Sequence, residues 1–348
     1  MKIKNNPTKI IFMPGSNLGG GLGQHSLILK KYYSDYRFWD FKGGDLNLKD
    51  NFFLCFVNRL RRRFSDSSFE KFERIDSEST VFLDRCKDPV DSILGFSGCC
   101  LNLFETAKKR GCKNLELESP TAHISHCFEM YQRAYEKNPI EKPWLTRQLR
   151  NKMLAEYNLA DTIWVNSQYS FNSFVERGFP PSKLKRRFLV PNEDYLKIKK
   201  TSKYSDKFNI IYVGSLTITK GISFLVDTFT KIEGSNLRLR LVGGTSSRGM
   251  SRYLKQICKK DPRITYGPGD PRSIIPSADL LVHPSWSDGF GLAPMEALVA
   301  GVPVIVSEDT GMKEHVIPGK NGWVFPTGNL EVLHALLDSI LAKKLNNN

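Results

Sequence analysis

The chain has 348 residues, with 40% apolar and 25% charged side chains and a formal net charge of +15. That length exceeds the usual single core and fits two domains of roughly 150 to 200 residues, with a cleft between them, and the composition is that of a folded protein rather than a disordered one. No run approaches the ~20 apolar residues of a spanning helix, and residues 1–7 are too polar for a signal peptide, so a cytoplasmic protein is expected.

In chain order, short β-branched or aromatic runs alternate with amphipathic stretches, the pattern of βα units building parallel sheets. Strands are expected at 9–13, 36–41, 80–84, 93–96, 114–118, 162–166 and 187–190, then at 209–213, 237–242, 264–266, 280–283 and 303–306. Helical periodicity fills the gaps, as at 222–232, where Ile222, Leu225, Val226 and Phe229 share a face. Two doubly wound α/β domains follow, at 1–195 and 205–330, divided by the Lys-rich stretch 191–207. A last helix at 331–348 would be free to cross back to the first domain.

Charge is uneven along the chain: residues 1–200 hold 34 Lys and Arg against 23 Asp and Glu, a net +11. The first half should therefore seek an anionic partner, whether nucleic acid, anionic lipid or an acidic glycan. Phe52, Phe53, Phe56, Val57, Leu60 and Phe64, interleaved with Arg59, Arg61, Arg62 and Arg63, read either as a segment lying on an anionic membrane or as a packed helix with its arginines in water. Lys183, Lys185, Arg186 and Arg187 read as a solvated loop. The seven cysteines, at 55, 86, 99, 100, 112, 127 and 258, form no Cys-x-x-Cys pair and have no His at ligand spacing, so reduced thiols and no metal site are expected.

In open parallel sheets ligands bind at the carboxyl ends of the strands. After the first strand comes Pro14-Gly15-Ser16-Asn17-Leu18-Gly19-Gly20-Gly21-Leu22-Gly23, which contains neither Gly-x-Gly-x-x-Gly nor Gly-Lys-Ser/Thr and so disfavours a dinucleotide fold or a P-loop. Its glycine density favours a site over a plain surface turn, with Gly20 and Gly21 as candidates. Further on, His123 and His126 open a helix; a lone histidine is more often structural than catalytic.

Beyond the strand ending at Val213, Gly214-Ser215-Leu216-Thr217-Ile218-Thr219-Lys220-Gly221 leads into a helix. Glycines allow close approach, the helix start offers N–H groups and Lys220 adds charge, which together suit a phosphate. After the strand 280–283 comes Pro284-Ser285-Trp286-Ser287-Asp288-Gly289-Phe290-Gly291-Leu292-Ala293-Pro294-Met295-Glu296. Here a glycine-flanked loop feeds a helix, and two carboxylates eight positions apart can each accept hydroxyl hydrogen bonds from different sugars of one ligand. Taken singly, Asp288 reads as a helix cap and Glu296 as a solvent-facing residue.

Taken together, these residues resemble the family 4 glycosyltransferases (glycosyl transferases group 1), retaining enzymes of the GT-B fold. Their signature is an acidic residue, Gly-Phe-Gly and a second acid eight positions after the first, followed by a Gly-x-Pro-Val strand, supplied here by Gly301-Val302-Pro303-Val304. The resemblance is close over 208–326 and looser before it. It implies two Rossmann-like domains facing each other across a cleft, the first binding the acceptor and the second the nucleotide sugar.

The resemblance also implies roles. Glu296 would hold the ribose hydroxyls, Asp288 the transferred sugar, the amides of Phe290, Gly291 and Leu292 the sugar and diphosphate, and Lys220 the diphosphate. Gly20, Gly21, Gly214 and Ser215 would line the donor, and His123 would approach the reacting sugar, giving His123, Lys220 and Asp288 as the catalytic set. Two positions depart from the family: Asp288 stands where most members have Glu, and Ser215 where most have Arg, which removes a bidentate phosphate donor.

The activity so implied is retaining transfer of a hexose from a UDP- or GDP-linked donor to a glycan or lipid-linked glycan in polysaccharide or lipopolysaccharide assembly. No cofactor is expected beyond the donor substrate and, in the absence of Asp-x-Asp, no metal. A membrane surface is a further expected partner for a cytoplasmic, peripherally bound enzyme, and nucleic acid is not. Two other readings stay open: a nucleotide-sugar epimerase of the same fold, and a non-catalytic nucleotide-sugar-binding protein.

Overall fold

A computed structural model describes residues 8–14, 20–33, 35–41, 68–190, 195, 197–198 and 207–346. The chain divides into two compact units, one of residues 1–128, 144–166 and 171–188, the other of 129–143, 167–170 and 189–348. The aromatic and arginine segment at 52–64 and glycines 15 and 19 lie outside the described residues, as does most of 191–207.

The first unit is built on a six-stranded parallel sheet in the order β2-β1-β3-β4-β5-β6. Its strands are β1 (Lys9–Met13), β2 (Arg37–Asp40), β3 (Ser92–Phe96), β4 (Asn114–Glu118), β5 (Thr162–Val165) and β6 (Leu184–Arg186). Its helices are α1 (Gly20–Tyr32), α2 (Ser68–Arg85), α3 (Leu101–Lys109) and α5 (Arg147–Leu159), while α4 (Ile124–Lys137) and α6 (Gln168–Val175) each contribute residues to both units. Ile10, Ile11, Ile93, Leu94 and Leu117 are fully buried, as strands covered on both faces require.

Two expected strands fall elsewhere. Residues 80–84, rich in β-branched and aromatic side chains, form the last turns of α2, because Ile75, Ser79 and Leu83 recur at a spacing of four and bury one helical face. The strand placed at 187–190 lies instead at Leu184–Arg186, paired with β5.

The second unit holds another six-stranded parallel sheet, in the order β12-β11-β10-β7-β8-β9. These are β7 (Phe208–Val213), β8 (Leu237–Val242), β9 (Ile264–Gly267), β10 (Leu280–His283), β11 (Val304–Ser307) and β12 (Gly322–Phe325), the last of which was not anticipated. Its helices are α7 (Ile222–Phe229), α8 (Arg248–Lys260), α9 (Pro271–Ile274), α10 (Leu292–Val299) and α11 (Leu330–Asn346). Ile222, Leu225, Val226 and Phe229 are indeed all buried, and α11 packs Leu333 and Leu337 into the same core, against α7 and β12.

Candidate functional site

Strand order in the second sheet reverses between β7 and β10, so the loops leaving their carboxyl ends lie side by side at the topological switch point. Glycine makes their contact close. Gly221 has φ +72°, and a Cβ there would sit 2.0 Å from the Pro284 carbonyl oxygen. Nearby, the Trp286 amide donates to the Thr219 carbonyl at 2.9 Å, tying one loop to the other.

This junction brings three charged or titratable side chains together. Lys220 Nζ lies 2.6 Å from Oδ2 of Asp288, and His283 Nε2 lies 3.0 Å from the same oxygen. The Asp288 backbone is itself anchored, its N–H donating to Asp309 and its carbonyl accepting from Gly311, both at 3.0 Å. Burial alone would raise the Asp288 carboxyl, but the Lys220 charge and the hydrogen bonds from His283 and Lys220 outweigh it and hold it well below the usual carboxylate range. Asp288 is therefore a fixed anion.

His283 was missed by sequence reasoning. It ends β10 and is only 4% exposed. Its ring stacks on Tyr212, with centroids 6.0 Å apart and planes at 6°. Because Nδ1 has no hydrogen-bond partner among the described residues, and a carboxylate can only accept, the proton belongs on Nε2, which donates to Asp288. The one signal in the sequence was a histidine closing an otherwise aliphatic strand.

Glu296 sits on the second turn of α10 and is 4% exposed, not solvent-facing. Burial pushes its carboxyl up to about 7, against a hydrogen bond from the Tyr195 hydroxyl that acts the other way. Tyr195 was also missed, since it lies in a stretch read as a polar linker. Gly291, at φ +92°, opens α10 without any side-chain cap. The first amides of that helix are therefore unpaired by its own carbonyls, a setting that favours an anion.

The loop between Asp288 and Glu296 is braced from below. Ser167 donates to the Gly289 carbonyl at 2.6 Å, and the hydroxyls of Tyr169 and Ser287 lie 2.8 Å apart. Phe290 is buried, and its carbonyl accepts from Thr310. Gly214 and exposed Ser215 follow β7, with the Ser215 carbonyl accepting from the Tyr212 hydroxyl at 3.0 Å. Lys220, Asp288, Phe290, Gly291, Leu292, Glu296, Gly214 and Ser215 thus all belong to the second unit.

His123, Gly20 and Gly21 belong to the first unit. The two glycines are the first residues of α1. His123 is buried among the rings of Tyr157, Phe174 and Phe179 at 5.0 to 5.5 Å, and its Nδ1 accepts from the Ser125 amide. In the same unit Glu118, at the end of β4, takes His25 at 2.8 Å and Arg187 at 2.5 Å. Arg187 is buried against Trp164 and Tyr33, which corrects its reading as part of a solvated loop.

Residues 195–348 match the family model of the glycosyl transferases group 1. An uncharacterized glycosyltransferase of Methanocaldococcus jannaschii is 36% identical over 130 residues, covering 35% of this chain and 33% of the relative. The capsular polysaccharide biosynthesis glycosyltransferase CapM of Staphylococcus aureus is 28% identical over 142 residues, 39% and 37% of the two chains. These alignments span little more than a third of the curated relatives. The crystal structure of Anabaena HepE in complex with UDP-glucose superposes with a TM-score of 0.65 over 97% of this chain and 90% of that one, at 17% identity, a likeness of fold. Residues 195–348 are thus similar to the glycosyl transferases group 1, and the chain as a whole carries the two α/β units of the GT-B fold.

Proposed function

We propose that the protein is a retaining glycosyltransferase that moves a hexose from a UDP- or GDP-linked donor to a glycan or lipid-linked glycan in cell-surface polysaccharide assembly. The observation that carries this reading is the Lys220–Asp288 pair at the switch point, on the loop that leads to the uncapped start of α10 and to buried Glu296. CapM is named for capsular polysaccharide biosynthesis and HepE was captured with UDP-glucose, which supports the donor and pathway classes.

In this reading Lys220 and the first amides of α10 receive the diphosphate and stabilise the charge that grows on it as the sugar leaves. Asp288 accepts a hydroxyl of the transferred hexose and Glu296 the ribose hydroxyls. The acceptor hydroxyl enters on the face the diphosphate leaves and gives its proton to the departing phosphate, so configuration is retained without an enzyme nucleophile. Positive charge from Lys220 and the amides takes the part a divalent cation would otherwise play. The basic first half meets an anionic membrane that presents the acceptor.

The test is incubation with UDP- and GDP-hexoses and a panel of glycan and lipid-linked acceptors, with products read by mass spectrometry and the new anomeric centre by NMR. An α-linked product from an α-linked donor, lost in Lys220→Ala and Glu296→Ala, is expected. Normal turnover in both variants, or an inverted product, would refute the assignment.

A further inference from the structure

Asp288 has two side-chain donors, and both reach the same oxygen. Lys220 and His283 bond Oδ2 at 2.6 and 3.0 Å, whereas no group among the described residues bonds Oδ1. The donor reading given above requires Lys220 to turn toward the diphosphate. One ammonium shared between a carboxylate and a diphosphate is weakly held by each, so Asp288 then loses most of its counter-charge. What remains in place is His283.

Several features fit His283 for that task and no other. Its backbone is fixed by the strand ladder, opposite Val306 of β11. Its ring is fixed by the stack on Tyr212. Its only hydrogen bond among the described residues goes to Asp288, and its other nitrogen is buried without a partner. A buried imidazole committed to one carboxylate oxygen holds that carboxylate rigidly, whereas the Lys220 side chain is a flexible stem and 28% exposed.

We infer that His283 is the positioning residue of the donor-sugar half of the site: its Nε2–H keeps Oδ2 of Asp288 when Lys220 engages the diphosphate, and so aims Oδ1 at a hydroxyl of the transferred hexose. The inference rests on the donor reading and adds to it the group that separates sugar recognition from phosphate recognition. Without His283, Asp288 follows Lys220 and the sugar loses its acceptor.

Calorimetric titration with UDP and UDP-glucose, and with GDP and GDP-mannose, tests this without an acceptor. The quantity read is the ratio of the affinities of the nucleotide sugar and the bare nucleotide. His283→Phe keeps an aromatic ring against Tyr212 but no donor; it should cut that ratio about tenfold, the worth of one hydrogen bond to a charged group, while the affinity for the bare nucleotide stays within about threefold. His283→Gln, which restores an N–H donor, should recover most of the ratio. Asp288→Asn should show the same loss, and adding His283→Phe to it should cost nothing more. An unchanged ratio in His283→Phe, even with a lowered melting temperature, overturns the inference, as does additivity in the double variant. If the wild-type protein binds none of the four ligands, the donor reading itself falls, a result distinct from wild-type binding with an indifferent His283.

Discussion

Glu296 offers the sharpest test of the site, because its burial couples stability and ligand binding to pH in opposite senses. Its carboxyl stands at about 7 in the folded protein against an ordinary 4.5. The folded state therefore binds a proton more tightly than the unfolded state. The associated stability is fully present below pH 4.5 and is lost as pH rises through about 7, and the gap corresponds to about 3 kcal/mol. Glu296→Gln keeps a partner for Tyr195 but cannot ionise. Relative to wild type it should be nearly neutral at pH 5 and more stable by up to about 3 kcal/mol at pH 8.5, read as the difference in urea unfolding between the two proteins. If that difference is the same at both pH values, Glu296 is not the buried, proton-binding group described here.

Binding should run the other way. In the proposed reading two ribose hydroxyls would donate to an ionised Glu296 and stabilise it, so donor binding would pull its proton off. UDP affinity of the wild type should fall by up to about tenfold for each pH unit below 7 and level off above it. Glu296→Gln should bind more weakly, with only the pH dependence of the phosphate, which both proteins share. Parallel curves for the two proteins would refute the assignment of Glu296 to the ribose.

Three other substitutions probe the same junction. Lys220→Ala should weaken UDP binding at least thirtyfold, roughly 2 kcal/mol, by removing the charge that meets the diphosphate; a smaller loss by calorimetry would move the phosphates elsewhere. Gly221→Ala places a methyl on the Pro284 carbonyl and should cost about 2 kcal/mol or more of unfolding free energy, whereas unchanged stability would show that the two loops do not meet there. Ser215→Arg adds a forked phosphate donor at an exposed position beside the diphosphate loop and should tighten UDP binding about tenfold; no change would mean that residue 215 faces away from the phosphates.

The sequence announced the second unit better than the first. The strand at 237–242 alternates Leu with Arg in a period of two, that at 280–283 runs Leu-Leu-Val before His283, and the ends of both are legible to the residue. Residues 80–84 misled because β-branched and aromatic side chains suit strands locally, while the periodicity that makes them helical starts a dozen residues earlier, at Ser68. Lys220, Asp288 and Glu296 could be named because together with the loop glycines they resemble a family signature, although each alone reads as an ordinary surface residue. Their states could not, because a carboxylate's character comes from what the fold brings to it. His283 is five residues from Asp288 and Tyr195 is 101 residues from Glu296 in sequence, and neither separation has a pattern to recognise.

The two carboxylates show how one loop and helix can build unlike groups from like residues. Asp288 lies where two parallel strands diverge, so a loop lysine and a strand histidine both reach it and hold it charged. Glu296 lies a turn into α10, with a tyrosine hydroxyl but no cation among the described residues to hold its charge, so its ionisation is left to the conditions. Environments that push neighbouring acids apart mark a division of labour in an active site. In the proposed reading the permanent anion would orient a hexose in every turnover. The conditional one would suit a nucleotide that must arrive and leave, since a buried carboxylate is costly to keep charged once its ligand has gone.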